Sequence, residues 1–204
     1  MKGRARLLAV VFVLALCAPA VGQRRRAGVR RPQTAFGAET PIRRPVRLSA
    51  DATRQILESD RERVRACGEF GGQPAEAIAA QLAGSAVDIN GDALPDLIAQ
   101  AGPGCFMGAH ATTFWAFAGY STRFGNGVDL VLMTPGDFLR VLASVSNGYR
   151  DIETGYATAA EVYATIWKFD GDRYQPRECT IKDFKTGRVQ RTRCASPEPE
   201  SAAP

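Results

Sequence analysis

After Ser49, the apolar positions Ile56, Leu57, Val64 and Cys67 gather on one side of a helical wheel, with charged residues between them. That spacing marks an amphipathic helix. Ser49 supplies an N-cap oxygen and Gly68 a C-terminal stop, so the pattern predicts a helix over 50–66. Pro74 followed by Ala75 to Leu82 predicts a second, short helix. From Val87 onward the period changes to that of strands, with runs at Leu97 to Ala101, Thr112 to Phe117 and Val128 to Met133. Asn147-Gly148 lies between Leu139-Arg140-Val141-Leu142 and Tyr149-Arg150-Asp151-Ile152, and Asp170-Gly171 lies between Thr165 to Phe169 and Asp172-Arg173-Tyr174. Both dipeptides suit tight hairpin turns that need positive φ. Centring the second turn on Asp170-Gly171 sets Trp167 opposite Tyr174 as an aromatic cross-strand pair. The expected fold is α+β: an N-terminal helix followed by a mostly antiparallel β-sheet of hairpins, stapled by disulfides, in a single globular domain over 48–195.

The two ends read differently. Lys2, Arg4 and Arg6 precede an apolar run from Leu7 to Leu16, and Ala20-Val21-Gly22 offers small residues at a cleavage position, so 1–22 reads as a signal peptide. Leu14-Ala15-Leu16-Cys17 also resembles a lipobox, with Leu16 where a small residue belongs, which leaves lipidation of Cys17 as an alternative. The run is too short for a spanning helix, which needs about 20 apolar residues. Residues 23–47 are rich in Arg, Pro and Gly and read as a basic disordered arm, and 196–204 as a disordered tail. Charge follows the same division: after Arg47 the chain holds fifteen of its 26 basic residues and twenty of its 21 acids, a net of −5, although the whole chain is +5. The globular part is therefore no basic nucleic-acid binder.

Export changes the meaning of the cysteines, because an oxidising compartment favours disulfides over free thiols. After removal of the leader four remain, Cys67, Cys105, Cys179 and Cys194. Pairing outward from a turn at Thr186-Gly187 sets Phe184 opposite Val189, Ile181 opposite Thr192, and Cys179 opposite Cys194, which leaves Cys67 for Cys105. A four-thiolate zinc site is disfavoured because no Cys-x-x-Cys step is present.

The stretch Asp88-Ile89-Asn90-Gly91-Asp92-Ala93-Leu94-Pro95-Asp96 carries the most specific chemistry. Side-chain oxygens fall at its first, third, fifth and ninth positions, Asp88, Asn90, Asp92 and Asp96, and the carbonyl of Leu94 at the seventh can add another. Such a set suits a hard cation, above all calcium. The twelfth position is Ala99 and strand-like residues follow, so it is no EF-hand. An Asx-rich turn held by local hydrogen bonds is the alternative. The stretch resembles the Asp-x-Asn-Gly-Asp-Gly-x-x-Asp loop of the VCBS and FG-GAP repeat families of secreted and cell-surface proteins. With Gly104-Cys105, the aromatic run Thr113 to Phe117 and Asn147 to Ile152, it is similar to small secreted bacterial proteins of uncharacterised function that carry one such loop. The resemblance implies a structural calcium ion held by Asp88, Asn90, Asp92 and Asp96. It departs from the pattern at Ala93, where glycine is usual. A single loop implies no propeller.

Catalytic templates are incomplete. His110 is the one histidine, which excludes a two-histidine zinc motif. Gly119-Tyr120-Ser121-Thr122-Arg123 lacks the closing glycine of a nucleophile elbow. Asp151, Glu153 and Glu161 read as a solvated strand face, and Trp115, Phe117, Trp167 and Tyr174 as core residues. The expectation is a non-catalytic exported protein of the envelope or periplasm, calcium-stabilised, binding a protein or glycan. Alternatives are a small secreted hydrolase using Cys105 and His110, and an inhibitor of an envelope hydrolase.

Overall fold

The computed structural model describes residues 32–40, 42–108 and 111–194. The expected leader with Cys17, the first part of the arm, His110 and the tail over 196–204 lie outside the described residues. Strand β1 spans Ala35–Gly37, and helices α1 (Ala50–Ser59), α2 (Arg61–Gly71) and α3 (Ala75–Ala79) follow. The remaining strands are β2 (Leu82–Val87), β3 (Asp96–Ala101), β4 (Thr112–Thr122), β5 (Gly125–Gly136), β6 (Phe138–Ser146), β7 (Tyr149–Ala157), β8 (Glu161–Phe169), β9 (Tyr174–Asp183) and β10 (Val189–Thr192).

They form two antiparallel sheets, one of four strands ordered β2-β3-β4-β5 and one of six ordered β1-β6-β7-β8-β9-β10. The four-stranded sheet is the middle layer. Leu97, Ala99, Ala101, Trp115 and Phe117 on one face pack with Ala52 and Ile56 of α1 and Ile78 of α3. Ile98, Phe114, Ala116 and Ala118 on the other face pack with Leu139, Val141, Ile152, Phe169 and Tyr174 of the six-stranded sheet. Burial on both faces is why Asp96–Ala101 and most of β4 read as continuous runs without a solvent-facing alternate.

The helix predicted over 50–66 is two helices. Asp60 leaves the helical region (φ −140°, ψ 58°) and its carboxylate accepts the Arg63 N–H at 3.2 Å, capping α2. At Ser59 the hydroxyl donates to the Ile56 carbonyl at 2.7 Å and accepts the buried Trp115 indole N–H at 3.1 Å. Ser49 does cap α1, accepting the Ala52 N–H at 3.0 Å. The short helix predicted through Leu82 ends at Ala79, because Leu82–Val87 is the edge strand β2.

The expected arm is ordered over its described part. Phe36 of β1 is 2% exposed and lies in the core between the sheets, and the Val46 N–H donates to the Gly84 carbonyl at 2.8 Å. Glycine eases this crossing, since a Cβ at Gly84 would lie 2.6 Å from the Leu48 side chain and 3.2 Å from the Val46 carbonyl oxygen. Phe36, with Ile42, Val46 and Leu48 packed against the two cores and β1 paired to β6, anchors the segment.

Two disulfides join Cys67 to Cys105 and Cys179 to Cys194, with Cα separations of 5.9 and 5.2 Å. The register inferred for the second hairpin is displaced by two residues, since Thr192, not Cys194, pairs with Cys179. The loop is longer than a two-residue turn, with the Asp183 carboxylate accepting from Thr186. The β8–β9 hairpin is likewise wider than drawn: Asp170 Oδ1 accepts the N–H groups of Asp172 and Arg173, each at 3.0 Å. Phe169 thus faces Tyr174 while Trp167 faces Pro176. Trp167 instead donates its indole N–H to Thr154 at 2.7 Å.

Candidate metal loop

The stretch 88–96 connects β2 to β3 and is shaped by its own short polar side chains. The Gly91 N–H donates to Asp88 Oδ1 at 2.6 Å, the Asp92 N–H to Asn90 Oδ1 at 3.1 Å and the Leu94 N–H to Asp92 Oδ1 at 2.7 Å. Asn90 Nδ2 donates to Asp92 Oδ2 at 2.8 Å. These turns bring Asp88, Asn90 and Asp92 onto one short surface loop. Gly91 at φ 76° and Ala93 at φ 63° both adopt the left-handed region. The backbone therefore keeps at Ala93 the conformation that favours glycine, at a cost of about 1 kcal/mol.

Asp96 is placed differently. It is fully buried, and its two oxygens accept the Ile89 N–H and the Gly119 N–H, both at 2.7 Å. The carbonyl of Ile89 in turn accepts the Arg150 N–H of the other sheet at 2.6 Å. Asp96 is thus a clamp that ties the loop to β4, and Ile89 extends the tie to β7. Gly119 is required for the approach, because a Cβ there would lie 2.8 Å from the Pro95 carbonyl oxygen. Burial pushes the Asp96 carboxyl above the ordinary carboxylate range, the Gly119 and Ile89 N–H groups oppose that shift, and the nearby Asp92 and Asp88 charges add to it.

Asp88, Asn90 and Asp92, with the Leu94 carbonyl, match calcium by donor hardness and sequence position. Asp96 spends its oxygens on backbone donors, so its first role is the clamp. No group of three His, Cys, Asp or Glu side chains gathers as a metal cluster among the described residues. The fit is therefore one of donor type in a shaped loop, without a preassembled carboxylate cage.

Of the catalytic alternatives, the thiol version loses its nucleophile, because the Cys105 sulfur is bound to Cys67. His110 lies outside the described residues. Gly119 to Thr122 belongs to β4 and its hairpin with β5, not to a strand-to-helix elbow. The carboxylates read together as a solvated face have separate surroundings. Asp151 is 3% exposed with one oxygen lacking a hydrogen-bond partner, Glu153 pairs with Arg140 at 3.1 Å, and Glu161 accepts the Tyr163 hydroxyl at 2.6 Å. Trp115, Phe117 and Tyr174 are core, and Trp167 packs against it.

Sequence reasoning missed the clamp partners Ile89 and Gly119, because backbone N–H groups leave no residue-type signal. It also missed Gln55, whose side-chain amide closes the edge of β5 by donating to the Val128 carbonyl at 2.7 Å and accepting the Leu130 N–H at 2.9 Å. No protein-family model, curated protein or solved structure matches this chain.

Proposed function

We infer that this chain is a non-catalytic exported protein of the cell envelope that binds a protein or glycan, with calcium in the 88–96 loop acting as a structural ion. The position of the loop carries the reading: it is the joint where Ile89 and Asp96 link the two sheets. Asp88 and Asp92 lie near enough to the buried Asp96 for their charges to disfavour its ionised form, and no basic side chain among the described residues forms an ion pair with any of the three. A divalent cation at the outer rim would relieve that repulsion and brace the joint. Two disulfides support the export part of the reading.

The test is thermal melting of the oxidised mature protein with excess calcium and then with chelator. An ion that binds only the native state at about 100 times its dissociation constant adds about 2.7 kcal/mol of stability. Asp88→Ala and Asp92→Ala are expected to abolish the calcium-dependent rise, and to lower the chelated melting temperature as well, because each also removes an acceptor for a loop N–H. A wild-type melting temperature indifferent to calcium would sink the metal part of the reading, and turnover of an envelope polymer would sink the non-catalytic part.

A further inference from the structure

The domain after Arg47 is acidic overall, yet its last hairpin is not. Arg177, Lys182, Lys185, Arg188, Arg191 and Arg193 are all exposed, and none forms an ion pair among the described residues. The two acids of the same stretch are already engaged: Glu178 pairs with Lys168 at 2.8 Å, and Asp183 accepts from Thr186 in the connecting loop. Arg191 pairs in register with Thr180, and Val189 with Lys182, so Val189, Lys182 and Arg191 lie on one face of the sheet. Val162, Ala164 and Ile166 of β8 continue that face through Lys182, Thr180 and Glu178. At its other end a cavity of about 590 Å³ opens beside Lys168 and Arg177.

Among the described residues β10 is also an open edge of the six-stranded sheet, with all four of its residues exposed. The Asp183 N–H donates to the Arg188 carbonyl, which makes that pair a hydrogen-bonded one. Because such pairs alternate along an antiparallel ladder, the main-chain groups of Val189 and Arg191 point away from β9 and toward solvent. The same residues thus present unpaired N–H and C=O groups in strand geometry and a positive side-chain row. The Cys179–Cys194 bridge, spanning 15 residues, holds this edge in place, so little ordering cost attends a partner.

We propose that β10 is the docking edge for an acidic protein segment, which adds to the six-stranded sheet as a further strand. A second copy does not fit, because two such edges would set arginine rows against each other. An acidic strand does fit. Residues two apart on a strand lie on the same face about 6.8 Å from one another, so acids at alternate positions meet Arg191 and Arg193 while the main chains pair. Lipid headgroups match the charge but offer no row of alternating donors and acceptors in register. The proposal deepens the binding role inferred above and rests on it, but it is independent of the calcium loop.

The experiment measures fluorescence anisotropy of a labelled peptide of about seven residues, alternating Glu with Thr, against the oxidised mature protein. A Gln-for-Glu peptide and phosphatidylglycerol vesicles serve as comparisons. The expected result is at least about tenfold tighter binding of the Glu peptide than of the Gln peptide, weakening as salt rises. Arg191→Glu and Val189→Pro are each expected to lose about tenfold in affinity. Val189→Pro keeps every cation and removes an outward N–H, sparing the ladder to β9. Arg191→Gln, a neutral polar change at an exposed position, checks the charge effect in a variant with no reason to misfold and is expected to weaken Glu-peptide binding less than Arg191→Glu. Equal binding of the two peptides, or no binding of the Glu peptide, overturns the proposal. So does full affinity in Val189→Pro, which would mean charge attraction without strand addition, and so does displacement of the peptide by vesicles that bind wild type and Val189→Pro alike. Val189→Pro leaves residues 88–96 untouched, so calcium-dependent melting persists if peptide capture alone fails.

Discussion

The two sheets are built to different rules. The four-stranded sheet is covered by helices on one face and by the other sheet on the opposite face, and Trp115, Phe114 and Phe117 within it are fully buried. The six-stranded sheet is covered on one face only, and that cover fades along its strand order. Its β6 and β7 hold Leu139, Val141 and Ile152 in the core, β8 is half-buried along nearly its whole length, and β10 is exposed throughout. Hydrophobic burial therefore sets the stability of the first sheet, whereas turns, ion pairs and a disulfide maintain the far strands of the second. A surface held by such local devices is free to carry charge and an open edge.

The sharpest way to break this contrast is to make comparable truncations in both sheets. Trp115→Ala empties a site with no solvent exposure and removes the indole donor to the Ser59 hydroxyl, which keeps its own bond to the Ile56 carbonyl, so a loss of about 3–5 kcal/mol is expected. Ile166→Ala, on the uncovered face of β8, is expected to cost about 1 kcal/mol or less. Denaturant unfolding of both variants checks the pair. Similar losses would mean that something covers the outer face of β8 in solution.

The same difference explains what the sequence made legible. Most hairpins of the six-stranded sheet announce themselves, because Asn147-Gly148 and Asp170-Gly171 are turn residues between alternating runs, and Asn147 does take φ 47°. The register does not follow from the turn alone: the capping of Asp170 and Asp183 widens both later loops and shifts each pairing. In the doubly covered sheet the central strands were found by their apolar runs, but Leu82-Ala-Gly-Ser-Ala-Val resembles neither strand nor helix in composition. It is a strand because Gly84 lets 46–48 cross it and because β3 offers a ladder to pair with. Disulfide partners were legible, although the register that set Cys179 opposite Cys194 is displaced by two residues. The 88–96 loop was legible as a pattern of candidate ligands, but the inward turn of Asp96 was not, since a buried carboxylate clamp and a ligand carry the same letter.

The loop offers a smaller and cleaner test. Ala93 holds a left-handed backbone that glycine adopts without the Cβ penalty, so Ala93→Gly is expected to relieve strain there. Part of that gain is offset by the greater freedom of glycine in the unfolded chain, which leaves a net stabilisation of up to about 0.5 kcal/mol. Calcium affinity should rise with it if the loop takes up the ion, because less strain remains to oppose the bound conformation. A variant less stable than wild type, in chemical denaturation with chelator present, would show that the positive φ at Ala93 carries no strain.

Acid sharpens the comparison at the level of single carboxylates, with the smallest expected effect. In the six-stranded sheet, Asp170 is held below its ordinary range by the N–H groups of Arg173 and Asp172, Glu178 by Lys168, and Asp183 by Thr186. A lowered native pKa contributes stability that is present above the unfolded value, about 4, and is lost as pH falls through the native value. All three side chains are exposed to solvent, so each contribution is small and screened by salt. Asp96 in the four-stranded sheet has the opposite sign, because burial raises its pKa. Its penalty is absent below the unfolded value and grows as pH rises through the raised native one. Carbon-13 NMR titration of the carboxyl groups, with chelator present, should therefore find Asp170, Glu178 and Asp183 deprotonating first and Asp96 last. Added calcium should draw Asp96 downward, since a nearby cation favours its charged form, and should leave the three carboxylates of the far hairpins unmoved. An Asp96 resonance that titrates together with the other three would mean that its two backbone donors outweigh its burial, and the clamp would then gain strength with rising pH.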